Sequence, residues 1–252
     1  MPRKGELTYC DNIGEAGQQH SLSKPFSDEE CGLSLMRVGA LLSLLPPPPA
    51  QVLDCGCGTG WLAYFLARRG YHVVATDIAP DAIRLARDNP VFRRDDAPEF
   101  LVADSEALEF ESAFDVVIFF DSLHHAIDEL AALRCSYRAL RPGGICVALE
   151  PGRGHHRKSR ETAAAYDVTD KDMPPSYIRR LGRKVGFNRC RVLPAPQHFG
   201  KALYANQRVT GWLGRLVGIW PFRLLTVLGI MVLHPWYCGI TILQKDMPHQ
   251  PL

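Results

Sequence analysis

From Gln51 onward, short apolar runs rich in β-branched and aromatic residues alternate with segments of helical period. The runs predict strands at 51–54, 72–77, 99–103, 114–120 and 144–149, with helices between them at 60–69, 80–88, 105–109 and 124–140. This βαβα rhythm implies a parallel sheet with helices on both faces and right-handed crossovers. Phe114 to Phe120 holds a single polar residue, Asp115, as a strand buried on both faces should. Upstream, Ser27 and Glu30 have the spacing of a capping box. An apolar stripe of Leu33, Met36, Ala40, Leu41 and Leu44 predicts a helix over 27–45, stopped by Pro46 to Pro49. After Glu150 the rhythm breaks. A turn at Pro151–Gly154 leads to a helix over 175–185, opened by Pro174-Pro175 and ended by Gly186. Strands then follow at 187–193 and 237–243, separated by an apolar stretch from Arg208 to Trp236. The expected organisation is an N-terminal lid and capping helix at 1–49, then one domain at 50–252 with a helical insertion at about 205–236.

Leu224 to Gln244 contains no Asp, Glu, Lys or Arg, a length just sufficient to cross a membrane. Pro235 interrupts it, however, and its second half alternates like a strand. Residues 208–236 therefore read as a buried helical lid, with an interfacial helix dipping into a membrane as the other use. Charge divides the chain. Residues 1–133 carry 10 Lys and Arg against 21 Asp and Glu, whereas 134–191 carry 14 against 5. The basic part is either a solvated helix face or an attractor of anionic partners, such as a phosphorylated or carboxylated small molecule or a membrane surface. Nucleic acid is not expected, because few aromatics interleave with the basic residues to stack bases. With 252 residues, 46% apolar and 22% charged, the composition is that of a globular protein. Eight cysteines without a CxxC pair, behind a polar and charged first 30 residues, point to reduced thiols in a cytoplasmic protein, with peripheral contact to the inner face of a membrane left open.

The chemistry concentrates at Asp54-Cys55-Gly56-Cys57-Gly58-Thr59-Gly60, where a strand meets three alternating glycines and then a helix. Missing Cβ atoms let main chain turn sharply and approach a ligand at the carboxyl end of a sheet. A second register, Gly58-Thr59-Gly60-Trp61-Leu62-Ala63, satisfies the dinucleotide pattern G-x-G-x-x-A. Asp77, 23 residues after Asp54, ends the second strand in position to accept from two ribose hydroxyls, which suits a nicotinamide cofactor equally well. Asp104 follows the third strand, where a carboxylate can accept from an adenine amine. Arg141-Pro142-Gly143-Gly144 makes a turn into the fifth strand.

Together these residues resemble the class I S-adenosylmethionine-dependent methyltransferases, over about 50–194 and again at 237–244. The glycine-loop motif of that family corresponds to Asp54–Gly60, its ribose-binding acid to Asp77, and its adenine-side acid to Asp104. Its fourth-strand motif corresponds to Phe114-Asp115-Val116-Val117 through Asp121, and its L-x-P-G-G turn to Leu140–Gly144. The resemblance implies an α/β Rossmann-like sheet of seven mostly parallel strands in the order 3-2-1-4-5-7-6. It also implies S-adenosyl-L-methionine as cofactor, held by Asp54, Gly56, Cys57, Gly58, Gly60, Asp77, Ile78, Asp104, Ser105 and Asp121. A sulfonium cation without phosphate calls for carboxylates and main chain rather than Lys and Arg, which matches the acidic half of the chain.

Methyl transfer is an in-line displacement governed by alignment, and a neutral hydroxyl acceptor also needs a base. His124 and His125, in Asp121-Ser122-Leu123-His124-His125 just after the buried fourth strand, are the candidates. Tyr9 and His20, in a lid expected over 9–26, and Arg153 and His155, in the turn after the fifth strand, are candidate acceptor contacts. No metal site is expected, since the adjacent pair His155-His156 is ill placed to chelate together. Glu150-Pro151-Gly152-Arg153-Gly154-His155 resembles a turn in methyltransferases of bacterial cell-surface saccharide and natural-product pathways. The expected activity is O-methylation of a small molecule, a sugar or lipid-linked glycan or a secondary metabolite. N- or C-methylation of a lipid or quinone head group, or cofactor binding without turnover, are the alternatives. No oligomeric state is implied.

Overall fold

A computed structural model describes residues 4–89, 97–204 and 220–247. Its strands are β1 (Gln51–Cys55), β2 (His72–Asp77), β3 (Glu99–Val102), β4 (Phe114–Phe120), β5 (Leu140–Leu149), β6 (Arg189–Pro194) and β7 (Gly239–Gln244). They form one seven-stranded sheet in the order β3-β2-β1-β4-β5-β7-β6. β1 to β5 pair in parallel, and β7 runs antiparallel to both β5 and β6. This is the Rossmann-like sheet that the resemblance implied.

Alternation along the buried strands builds two cores. Val52, Val116, Ile118 and Val147 face α4 (Cys31–Leu44), α5 (Trp61–Arg69) and α6 (Pro80–Asp88). Leu53, Val117, Phe119 and Cys146 face α7 (Glu129–Ala139) and α9 (Pro175–Val185). Because β1 lies between β2 and β4, successive crossovers leave it in opposite directions, opening a crevice at its carboxyl end. The short helices α1 (Lys4–Leu7), α2 (Tyr9–Asn12) and α3 (Gly14–Leu22) border this crevice. α8 (His155–Tyr166) follows β5, α10 (Pro196–Tyr204) follows β6, and α11 (Trp220–Leu233) precedes β7.

Several expectations needed correction. The capping box does not form: the Ser27 hydroxyl donates to the His20 carbonyl at 2.6 Å, and α4 starts only at Cys31, where the Glu30 carboxylate at the N-cap pairs with Lys201 at 2.7 Å and caps no helix amide. No helix forms at 105–109, where Asp104 accepts from the Glu106 amide at 2.9 Å and holds a turn. The helix expected over 124–140 divides into a 3-10 turn at Leu123–His125 and α7, whose N-cap Asp128 accepts from the Ala131 amide at 2.9 Å. Strand pairing in β5 starts early, with Leu140 opposite Phe114, and shifts register before Ile145. Of the apolar insertion, residues 205–219 lie outside the described residues and 220–233 are helical. No helix among the described residues is long and apolar enough to cross a membrane. All eight cysteines are free.

Candidate active site

The glycine loop is shaped from beneath by β2. The Gly56 and Cys57 amides donate to the Thr76 carbonyl at 2.7 and 2.9 Å, and all three glycines take positive φ (+71°, +55° and +80°). Their reasons differ. A Cβ on Gly56 would lie 2.4 Å from that of Ser122, and one on Gly60 would lie 2.6 Å from the Phe100 ring. A Cβ on Gly58 would meet nothing within 4 Å. Gly56 and Gly60 are small to allow packing, whereas Gly58 borders open space.

That space is a cavity of about 420 Å³ above the carboxyl ends of β1, β2 and β4, within the size range of small-ligand sites. Gly56, Cys57, Gly58, Asp77, Ile78, Asp104, Ser105 and Asp121 line it as the sequence suggested. Asp77 also orders the loop, accepting from the Gly58 amide at 2.8 Å and the Ala79 amide at 2.9 Å. Burial pushes its carboxyl above the ordinary range, against the pull of those two amides. Asp54 and Gly60 do not line the cavity. Gly60 is turned into the packing at the start of α5. Asp54 lies behind the wall, 1% exposed, with Oδ2 lacking any hydrogen bond among the described residues. Burial, with Asp77 nearby, raises its carboxyl to about 7.

His124 and His125 also line the cavity. Glu150, 3% exposed, accepts from the Ser122, Leu123 and His124 amides at 3.1, 2.9 and 3.3 Å and pairs with His124 Nδ1 at 2.7 Å. This leaves Nε2 of His124 as its other ring nitrogen. Burial opposes the charged imidazolium, but Glu150 outweighs it and raises the His124 pKa. His125 goes the other way: burial and its neighbour His124 lower it to about 4, while Nδ1 lies 2.5 Å from the Thr169 carbonyl. It stays neutral at physiological pH.

Tyr9, Glu6 and Ser21 bring the N-terminal segment to the cavity wall. The Asp11 amide donates to Asp81 at 2.8 Å, and the Thr59 hydroxyl to the Ser21 carbonyl at 3.0 Å. His20 does not line the cavity; it stands half exposed, 3.5 Å from Asp28. His155 does line it, but Arg153 is turned away, with Nε donating to the Trp236 carbonyl at 3.4 Å.

Three residues of this region went unassigned in the sequence. Arg37 holds Asp121, and the signal was available: it is the only charge within α4. Glu150 directly follows the apolar run Ile145–Leu149 that ends β5, and its burial there makes a partner necessary. Asp170, beside His155 at 3.1 Å, lies in a polar loop and carries no such signal.

The lining suits S-adenosylmethionine. It combines glycine main chain, open space above Gly58, and the carboxylates of Asp77, Asp104 and Asp121, with Lys24 as its lone Lys or Arg among the described residues. A pyrophosphate there would face the carboxylates of Asp77, Asp104 and Asp121, with Lys24 alone to offset their charge among the described lining residues.

Comparisons with known proteins agree. Residues 53–148 match the family model described as a methyltransferase domain. The ubiquinone biosynthesis O-methyltransferase of Xanthomonas campestris pv. campestris is 34% identical over 183 residues, 72% of this chain and 67% of that protein. The protein of the same name from Xylella fastidiosa is 34% identical over 131 residues, so the match spans half the length of each. The fold is shared with phosphoethanolamine N-methyltransferase 2 of Haemonchus contortus, solved with S-adenosyl-L-methionine, at a TM-score of 0.59 and 21% identity, covering 84% of this chain and 52% of that one.

Proposed function

The chain belongs to the class I S-adenosylmethionine-dependent methyltransferases, and within that family we propose that it O-methylates a hydroxyl of a small, amphiphilic acceptor. The observation that carries this reading is that Gly58, Asp77 and His124 line one cavity, with Glu150 engaging the His124 ring from behind. Asp77 and Asp104 are the acids that would hold the cofactor's ribose and adenine, with Gly56, Cys57, Gly58, Ile78 and Ser105 providing main chain and contact surface. When bound, the cofactor supplies an electrophilic methyl group on a positively charged sulfur.

The residues then have separate tasks. The loop and Asp77 fix one reactant, while the wall formed by Tyr9, His155 and the His124–His125 turn positions the other, so that alignment carries most of the rate. A hydroxyl must lose its proton as the oxygen–carbon bond forms, and the His124–Glu150 pair is assigned to that end of the reaction. Glu150 orients the ring and stabilises positive charge on it. His125, neutral and tied to Thr169, shapes the wall.

The Xanthomonas and Xylella relatives are named for ubiquinone synthesis, which adds a hydroxylated, prenylated ring to the lipid-linked saccharide as acceptor heads to test. An apolar tail is supported by α11, where Phe222, Leu225, Leu228 and Val232 are exposed among the described residues, as are Trp236 and Tyr237 just beyond. The same surface supports peripheral contact with an anionic membrane. Labelled cofactor incubated with hydroxylated prenyl rings, lipid-linked saccharides and ethanolamine lipids tests the proposal. Label on oxygen is the expected result. Label on nitrogen, or cofactor binding without transfer to any hydroxyl, would overturn it.

A further inference from the structure

His124, His155 and Asp170 come from three different segments, the turn after β4, the start of α8 and the loop after it. Each offers one ligating atom, and the three atoms lie within 4.8 Å of one another beside the cavity. His155 Nε2 and Asp170 Oδ1 are already 3.1 Å apart. That is near the ligand–ligand edge of roughly 3.0–3.4 Å expected when nitrogen and oxygen bind a transition metal at about 2.0–2.2 Å. The Asp170 side chain is only 8% exposed, and its Oδ1 accepts no hydrogen bond of proper geometry among the described residues. A carboxylate oxygen removed from water and left without a donor needs a positive partner.

The surroundings are those of a ligand set held in advance. Nδ1 of His124 is engaged by Glu150, the carboxylate–imidazole pairing that orients a ligating histidine through its far nitrogen. Asp172 accepts from the Gly154 and His156 amides, both at 2.9 Å, and so fixes the backbone on either side of His155. His156 Nδ1 lies 2.7 Å from the Asp170 carbonyl. Lys171 anchors the same loop to the segment after His125, donating to the Ala126 and Ile127 carbonyls at 2.8 and 2.9 Å.

We propose that His124, His155 and Asp170 form a binding site for one divalent transition cation at the acceptor end of the cavity. Two imidazoles and one carboxylate favour Zn²⁺, Co²⁺ or Fe²⁺ over Mg²⁺, and three protein ligands leave positions open toward the cavity. The inference rests on the O-methylation reading and deepens it: a cation there holds and polarises the acceptor oxygen, with His124 acting as its ligand rather than as a free base. The absence of metal expected from the His155-His156 pair is thereby revised. The missing partners come from other segments, which sequence adjacency cannot reveal.

The test uses the full chain, treated with chelator and dialysed, and titrated with Co²⁺ in the absence of cofactor and acceptor. The expected result is uptake of one equivalent with a visible d–d absorption band, and affinity at least tenfold weaker in both His155→Ala and Asp170→Asn. His72→Ala, which removes an exposed ring at the opposite end of β2, should bind as the wild type does. Asp170→Asn keeps the side-chain shape, so it remains informative if His155→Ala fails to fold. No uptake, or equal uptake by the wild type and both variants, would overturn the site; the pair would then be a plain His155–Asp170 ion pair. Full transfer to a hydroxyl by the chelated protein would overturn the cation's part in the reaction and leave O-methylation standing. Uptake of Co²⁺ in a protein that transfers to no hydroxyl would support the site and remove the O-methylation reading.

Discussion

Arg37 grips Asp121 with both arms of its guanidinium, Nη1 to Oδ2 at 2.5 Å and Nη2 to Oδ1 at 2.7 Å, across 84 residues of chain. The same group lies 4.3 Å from the centre of the Phe120 ring. Asp121 sits at φ +53°, a conformation that non-glycine residues seldom adopt, so the ion pair helps secure the bend between β4 and the His124 turn. Burial alone would raise the Asp121 carboxyl, but Arg37 holds it below the ordinary range.

Arg37→Met should therefore cost about 1–2 kcal/mol, the lower part of the range for charged hydrogen bonds because Asp121 is partly solvated. A carboxyl with a depressed pKa stabilises the fold above its unfolded value and loses that contribution as pH falls through the folded one. The difference between wild type and variant in urea unfolding should be full at neutral pH and shrink progressively as pH falls below the ordinary carboxylate range. A constant difference across that range would rule out the ion pair as its source.

Asp54 has the opposite sign. Its carboxyl is raised to about 7, so its folded-state advantage is present below the unfolded value and is lost as pH rises toward 7. The melting temperature of cofactor-free protein should fall between about pH 4 and pH 8, and Asp54→Asn should flatten that slope. Parallel slopes would show that Asp54 is not the group responsible.

Gly56→Ala and Gly58→Ala should separate packing from ligand approach. Both incur the cost of a left-handed Cβ, about 1–2 kcal/mol, but only the first collides with Ser122. Gly56→Ala should lose roughly a further 1–3 kcal/mol from overpacking. Gly58→Ala should lose no more than about 1–2 kcal/mol of stability yet bind S-adenosylmethionine at least tenfold more weakly by calorimetry. Wild-type affinity in that variant would mean that the cofactor does not cross Gly58.

At the acceptor end, His124→Ala should reduce turnover by about 100-fold, through loss of either a proton acceptor or a cation ligand at the acceptor oxygen, with cofactor affinity within a few-fold of wild type. His125→Ala should change turnover much less, because its ring is neutral and committed to Thr169. Equal losses in the two variants would remove the distinction drawn between them.

The legibility of this chain follows from the range of the interactions. Strands β2 and β4 and helices α6 and α9 fall at the expected residues because local forces define them: apolar runs, Pro at a helix start, Gly at a helix end. The glycine loop, Asp77 and Asp104 were visible for the same reason, since each sits where a strand stops. The failed capping box shows the limit, because the Ser27 hydroxyl found the His20 carbonyl instead of the helix it precedes.

Sequence alone determined most strands and the glycine loop, since periodicity and turn chemistry act over a few residues, while the order of the strands came from the family resemblance. Tertiary structure decided how the acceptor end is built. Glu150 under His124, Arg37 on Asp121 and Asp170 beside His155 are pairings between segments 15 to 84 residues apart, set by how crossovers fold onto the sheet. The free energy of leaving a buried charge unpaired demands that some partner exist. Which residue answers that demand depends on packing in three dimensions, for which linear spacing carries no code.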